Sequence, residues 1–339
     1  MNLALVASAH GYGHATRCVA LADALVVAGH QATVYSTAPA SVLGTAHPLV
    51  PWAADVGLVQ PDSLGEDVSA TLVALEDRCG DAAIDALAAQ LTAYDGVVAD
   101  IAPAALEAAR RAGVRAVAMG NFDWAWTYGH YERLCPWARR FTAWQTAHPA
   151  IQLRPGPDLT HFSSVVAGGL LARRFPPVRV VTSAQTAILV GFGGFGLPAL
   201  GELLPELPGA VWLFAPPMRA PQRPDCRFVE DVAFSALLAG ADLVLTKPGY
   251  GMVAEAMLSG ARLLYFDRGG FPEAPHLEAA MRARGDVKVG ARPGEHAPGV
   301  VRAALREAVV NALSEPRPVP LPYDDSEGIA AAVVGLLRG

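Results

Sequence analysis

Short apolar runs alternate along the chain with longer stretches in which apolar and polar residues mix. Residues 3–8 form a continuous, largely apolar strand, and residues 15–28 read as a helix ending at Gly29, suited to a helix C-cap. Residues 31–36 are the next strand, so the chain opens as a β-α-β unit with parallel strands. The rhythm continues with a helix over 82–91, a strand over 96–99, a helix over 104–112 closed by Gly113, and a strand over 115–119. Residues 122–144 interrupt it with eight of the chain's 25 aromatics: Phe122, Trp124, Trp126, Tyr128, Tyr131, Trp137, Phe141 and Trp144. A connecting region rich in Pro, Arg and Gly spans 153–186. A second α/β unit opens with a strand over 187–190 and a glycine loop over 191–196. Further strands are predicted over 211–214, 227–229, 243–245 and 263–266, and helices over 252–259, 300–313 and 328–337.

Strands alternating with helices predict an α/β protein of two Rossmann-like, doubly wound domains. The expected division is an N-terminal domain over 1–165, a linker over 166–186, a C-terminal domain over 187–325, and a last helix over 326–339 returning to the first domain. Each domain opens with a strand and a glycine loop, and ligands of such sheets bind beyond the carboxyl ends of the strands. Two domains facing a central cleft would gather both loops and Lys247 around it.

Composition narrows the function classes. A length of 339 residues suits two domains, and 52% apolar residues can fill their cores without disulfides or metal. The net charge of -6, with charges interspersed, argues against a nucleic-acid partner, which needs a basic face. Cys18, Cys79, Cys135 and Cys226 are scattered without a Cys-x-x-Cys, as expected of reduced thiols in a cytoplasmic protein. The start lacks the basic region of a signal peptide, and no apolar run approaches the ~18–20 residues of a transmembrane segment. Only two of the 26 basic residues are lysines, which makes Lys247 conspicuous.

The stretch 241–284 holds the most specific pattern: strand, glycine loop, helix, strand, loop, helix. Gly249 and Gly251 let the backbone turn with little steric cost. The free N–H groups at the start of the following helix then offer a seat for a phosphate. Glu255 lies about one turn inside that helix, within reach of a sugar hydroxyl. A Gly-x-Gly after a strand is often only a tight turn; the spacing of Lys247, Gly249, Gly251 and Glu255 carries the nucleotide-sugar reading.

The first loop, His10-Gly11-Tyr12-Gly13-His14, lacks the third glycine of the dinucleotide fingerprint, which argues against a dehydrogenase. His14 stands at a helix N-terminus, where the dipole disfavours imidazolium and leaves the ring able to accept a proton. The plain alternative is a histidine that caps the loop, and His10 reads as structural. Asp100 and Asp123, at strand ends, either orient His14, bind an acceptor hydroxyl or cap helices. Glu273 and His276 either meet the donor sugar or supply ordinary loop polarity. The aromatic segment has three readings: core packing, the lining of an acceptor pocket, or, with Arg133, Arg139 and Arg140, peripheral contact with a membrane. No Asp-x-Asp occurs, so no metal or resident cofactor is expected; the nucleoside-diphosphate sugar is a co-substrate.

His10-Gly11-Tyr12-Gly13-His14-Ala15-Thr16-Arg17 resembles the opening of the glycosyltransferase-like N-terminal half of plant L-arabinokinases. So do the strand ending at Asp100, the run Asn121-Phe122-Asp123-Trp124, the loop Lys247-Pro248-Gly249-Tyr250-Gly251 with Glu255-Ala256, and Phe271-Pro272-Glu273-Ala274-Pro275. The Pro-x-x-x-Gly-Leu-Ser-Ser loop of their kinase half is missing, so kinase activity is not implied. More distantly, the layout is similar to GT-B glycosyltransferases of the lipid II and galactolipid synthase type (family 28-like), without the Ser-Gln of their second-domain loop. The resemblance implies a GT-B fold and transfer from a UDP-linked sugar, inverting and metal-independent, to a small molecule, glycan or lipid. It places Glu255 on the ribose, and Gly193, Gly194, Gly249, Tyr250 and Gly251 around the diphosphate. Gly11, Gly13, Phe195, Lys247 and Glu273 complete the donor contacts. His14, Asp100 and Asp123 are the implied catalytic residues. A sugar-nucleotide epimerase and a non-catalytic sugar-nucleotide-binding module remain as alternatives.

Overall fold

The computed structural model describes residues 1–339 except Gly194, Phe195 and Pro198. The chain divides into two compact units: Met1–Val59 with Glu66–Ala172 and Asp324–Gly339, and Gln60–Gly65 with Arg173–Tyr323.

The first unit runs β1 (Asn2–Ala7), α1 (Gly13–Val27), β2 (Gln31–Ser36), α2 (Ala40–Leu43), β3 (Leu49–Pro51), α3 (Val68–Arg78), α4 (Asp81–Leu91) and β4 (Gly96–Asp100). It continues with α5 (Pro103–Ala112), β5 (Ala116–Gly120), α6 (Trp124–Gly129), α7 (Cys135–Gln145), β6 (Pro149–Leu153) and β7 (Ser164–Gly169). The seven strands form one sheet in the order β3-β2-β1-β4-β5-β6-β7, all pairs parallel. The order reverses between β1 and β4, which is where such sheets bind ligands. Strands β1 and β4 are buried on both faces and therefore read as unbroken apolar runs.

β6 and β7 are strands that the apolar pattern did not predict; β7 crosses the expected boundary between the first domain and the linker. Ser164, Val165, Val166 and Ala167 of β7 are exposed. The apolar run there, Val165 to Ala167, is short and followed by two glycines, so it does not stand out as a buried strand does. In the aromatic segment, Phe122, Trp124, Tyr128, Trp137 and Phe141 are core residues. Trp124 meets Tyr128 at 5.7 Å between ring centroids, and Tyr128 meets Phe141 at 5.4 Å.

The second unit holds β8 (Thr186–Gly191), α8 (Leu200–Leu203), β9 (Ala210–Phe214), β10 (Cys226–Phe228), α9 (Phe234–Gly240) and β11 (Leu243–Thr246). Then come α10 (Tyr250–Ser259), β12 (Arg262–Tyr265), α11 (Ala274–Ala283), β13 (Val287–Lys288) and α12 (Pro298–Ser314). Its parallel sheet, β10-β9-β8-β11-β12-β13, reverses at β8 as the first does at β1. Successive strand residues face opposite sides. Ile188, Val190 and Trp212 pack with Val301 and Leu305 of α12, while Leu189 and Leu213 pack with Val253 of α10 and Leu277 of α11.

The last helix, α13 (Ser326–Arg338), belongs to the first unit. The Asp325 amide donates to the Leu170 carbonyl at 2.8 Å, and the Leu170 amide donates to Asp325 Oδ2 at 2.7 Å. Gly96 leaves the space in which Leu337 meets Leu3: a Cβ there would lie 2.8 Å from Leu337 Cδ1.

Candidate active site

At the first sheet's reversal point, β1 delivers the loop that starts α1, and β4 ends on Asp100. His14 is the second residue of α1, and its Nδ1 lies 3.0 Å from Asp100 Oδ1. Arg17, one turn further on the same helix, gives Nε to Asp100 Oδ2 and Nη2 to Oδ1, and Nη1 donates to Asn121 Oδ1 at 2.7 Å. Asp100 is fully buried and Arg17 is 2% exposed. Burial pushes the Asp100 carboxyl up, but the charge and hydrogen bonds of Arg17, with the His14 ring, outweigh it and hold the group below the usual carboxylate range.

That ionised carboxylate decides the His14 tautomer. Arg17 Nη2 also lies 3.0 Å from His14 Nδ1, so the ring nitrogen stands between a donor and an acceptor. Without a proton on Nδ1, its lone pair would face a carboxylate oxygen at 3.0 Å. With one, it makes a charge-assisted bond, the stronger arrangement. The proton therefore sits on Nδ1, which makes Nε2 the basic nitrogen of the ring. His10 has a structural place: its Nδ1 is 3.1 Å from the Leu58 carbonyl, its ring meets Trp124 at 5.1 Å, and a Cβ on Gly57 would touch it at 2.4 Å.

Asp123 does not share the His14 contact. It is the N-cap of α6, accepting the Trp126 amide at 2.7 Å, and its two oxygens lie 3.1 and 3.2 Å from His161 Nδ1. His161, in the loop after β6, carries no motif and was invisible to sequence reasoning. The carboxylate raises the His161 imidazolium above the ordinary histidine value against the opposing effect of burial.

The backbone is strained where these groups meet. Ile101, next to Asp100, has φ of 43°, an outlier for a β-branched residue. Gly156 lies so close to Asn121 that a Cβ there would come within 1.9 Å of the Asn121 carbonyl oxygen. Gly156→Ala is expected to cost about 1–3 kcal/mol, read by urea unfolding. It should also lower turnover by displacing Asn121 from Arg17; unchanged stability would contradict this packing.

In the second unit, β8, β11 and β12 bring the predicted donor residues to one sheet edge. Thr246 Oγ1 donates to the Gly191 carbonyl at 2.6 Å, tying the ends of β8 and β11. Gly193 has φ of 69° and an open flank, whereas Gly194 and Phe195 lie outside the described residues. Lys247 is half-buried just after β11. Gly249 is the N-cap of α10 with φ of -157°, extended backbone open to any residue, and Gly251 is already helical. The helix thus starts at Tyr250, two residues earlier than predicted, and neither glycine has the positive φ that only glycine readily adopts. Glu273 is 3% exposed and pairs with Arg268, whose Nη1 lies 3.5 Å from Glu273 Oε2 and 3.3 Å from the Pro248 carbonyl. Arg268, which no motif marks, therefore braces the glycine loop against the loop after β12.

Glu255 faces outward only in part. Burial pushes its carboxyl up to about 7, against the Ser235 hydroxyl and the charge of Arg173. The folded protein keeps this proton between pH 4.5 and about 7, where the unfolded chain has lost it. The group therefore makes stability fall as pH rises through that window. Glu255→Gln should unfold at a higher temperature than the parent at pH 8 and at a similar temperature near pH ~4. Equal shifts at both pH values would contradict the assignment.

Among the described residues, no cluster of His, Cys, Asp and Glu is arranged to hold a metal ion, and no helix is long and apolar enough to cross a membrane.

No protein-family model matches the chain. It is similar to L-arabinokinase of Arabidopsis thaliana, 28% identical over 295 residues that cover 79% of this chain. The chain spans 28% of that relative's length. Among solved structures it is similar to the spinosyn forosaminyltransferase SpnP, with a TM-score of 0.63 at 17% identity and all of both chains covered. The glycosyltransferase VinC, solved with dTDP, aligns with a TM-score of 0.57 at 16% identity over 100% of this chain and 98% of its own. With two parallel, doubly wound sheets of matching reversal, the chain has the GT-B fold of these glycosyltransferases.

Proposed function

We propose that this chain is a glycosyltransferase that moves a sugar from a nucleoside-diphosphate sugar, UDP-linked, to an acceptor hydroxyl, with inversion and without a divalent metal. The observation that carries this reading is the His14–Asp100–Arg17 cluster at the reversal point of the first sheet, in a chain with the GT-B fold. Nε2 of His14 takes the proton of the acceptor hydroxyl, and Asp100 supports the imidazolium that forms. The acceptor oxygen bonds to the anomeric carbon from the face opposite the diphosphate. The bond from that carbon to the diphosphate oxygen breaks, and the nucleoside diphosphate leaves with the electron pair. On the second unit, the amide end of α10 and Lys247 stabilise the growing negative charge. Glu255, between neutral and ionised near pH 7, offers oxygens to the ribose hydroxyls.

The match to the plant relative covers 28% of that protein's length, and the kinase in its name does not come with it to these residues. The test is thermal stability with UDP, dTDP, GDP and ADP, on the parent and Glu255→Ala. A nucleotide at about 100 times its dissociation constant adds roughly 2.7 kcal/mol. The expected result is a shift with UDP that Glu255→Ala loses. A shift with dTDP alone, the nucleotide bound to VinC, would replace the donor class. No shift with any of the four would sink the donor site.

A further inference from the structure

Asp55 stands in the segment between β3 and α3, belongs to no motif and is buried. Its Oδ1 accepts two donors from the point where the chain leaves β1: the Ser8 hydroxyl at 3.0 Å and the Ala9 amide at 2.7 Å. Ser8 extends that hold in two directions. Its amide donates to the Asp100 carbonyl at 3.1 Å, and its hydroxyl oxygen accepts Trp124 Nε1 at 3.1 Å. The Trp124 ring meets His10 at 5.1 Å and Phe122 at 5.2 Å between centroids. Those two rings in turn meet the His14 ring edge-on, at 6.4 and 6.3 Å. One carboxylate oxygen thus ties together the start of the loop that leads to His14, the backbone of its partner Asp100, and the two rings against the imidazole.

A serine hydroxyl has a single proton and two acceptor lone pairs. Ser8 commits the proton to Asp55, which turns the lone pairs toward Trp124. Removing the carboxylate lets that hydroxyl rotate and takes away the acceptor of the Ala9 amide. The other oxygen, Asp55 Oδ2, is buried without a partner among the described residues. The hold therefore depends on one oxygen and not on charge. Burial pushes the carboxyl up to about 7, yet a proton on Oδ2 leaves Oδ1 as the acceptor. We propose that Asp55 is a positioning residue for His14, fixing through Oδ1 the exit of β1 and the rings that frame the imidazole. For turnover the inference rests on the transferase reading; for the state of the ring it does not.

The test is nitrogen NMR of the imidazole rings, with His14 identified by its loss in His14→Gln, on the parent, Asp55→Ala and Asp55→Asn. The parent ring should be protonated on Nδ1. In Asp55→Ala its two nitrogens should move toward the averaged shifts of mixed tautomers. Asp55→Asn keeps an oxygen at the Oδ1 place and should restore the parent ring. A ring unmoved in Asp55→Ala overturns the proposal, as does one displaced equally in Asp55→Asn. Should Asp55→Ala fail to fold, Ser8→Ala carries the same test, because it cuts the link from Asp55 to Trp124 and keeps the Ala9 bond; an unmoved ring there overturns the proposal too. Turnover gives the second readout. Asp55→Ala should lower kcat by up to about 100-fold, the cost of a small misplacement, with KM for the donor unchanged, and should cost nothing further in a His14→Ala background. A full further loss in that background would overturn the positioning role. A parent protein that transfers no sugar overturns the transferase reading alone, since the ring measurement needs no substrate.

Discussion

Replacing His14 with alanine lowers turnover by about 100- to 10,000-fold, the usual worth of a positioned general base, and leaves the nucleotide thermal shift unchanged. The separation follows from where the residue sits. His14 is on the first unit, and the groups assigned to the donor nucleotide are on the second. Its Nδ1 proton is committed to Asp100 at 3.0 Å, so the basic nitrogen of the ring is Nε2. A histidine that only capped the loop would cost stability on removal, not turnover at saturating substrate. His14→Gln sharpens the comparison, because it keeps a polar side chain without a base of matching strength. If both variants turn over at the parent rate, His14 is not the base.

Asp100→Ala is expected to destabilise the first unit by about 3–5 kcal/mol, the cost of breaking a buried ion pair from one side. Arg17, 2% exposed, would lose the carboxylate that takes its Nε and Nη2 and be left as a buried cation without its counter-charge Asp100. The pH dependence has a definite sign. Asp100 is held below its ordinary value of 3.8, so its stabilisation is present above that value and is lost as pH falls through the folded-state value. Equilibrium unfolding should show the variant's deficit at pH 7 and a smaller deficit in acid. The double variant Arg17→Met/Asp100→Leu removes both charges and should recover most of the stability, but not turnover, because His14 then lacks its anchor. A double variant as unstable as Asp100→Ala would place the loss in packing rather than in the stranded charge.

The sheets were legible because parallel strands covered on both faces must be apolar throughout. β1, β4, β5, β8 and β11 announce themselves as runs such as Leu3 to Ala7. β7 did not, since its apolar run, Val165 to Ala167, is only three residues long, faces solvent and passes straight into Gly168 and Gly169. The His14–Asp100 pairing was open to sequence reasoning in part. A glycine loop after one strand and an aspartate at the end of another place both at strand ends, and the strand order β1-β4 makes them neighbours. Arg17 stood in plain view one turn after His14, yet nothing local says that it turns inward to a buried carboxylate. His161 was out of reach, because its partner lies 38 positions away and the contact depends on how the loop after β6 folds back. Gly249 shows the opposite error. Its expected role is a turn made at little steric cost, whereas the backbone there is extended and open to any residue.

The central claim is transfer of a sugar, and the direct measurement is the fate of the donor. UDP-sugars are incubated with the protein in the presence and absence of a mixed acceptor pool, and nucleotides and glycosylated products are resolved by mass spectrometry. The account predicts UDP release that depends on the pool, matched by a glycosylated product, with both lost in His14→Ala. A UDP-sugar that binds but stays intact with every acceptor, or one converted to a different UDP-sugar without any acceptor, would contradict it.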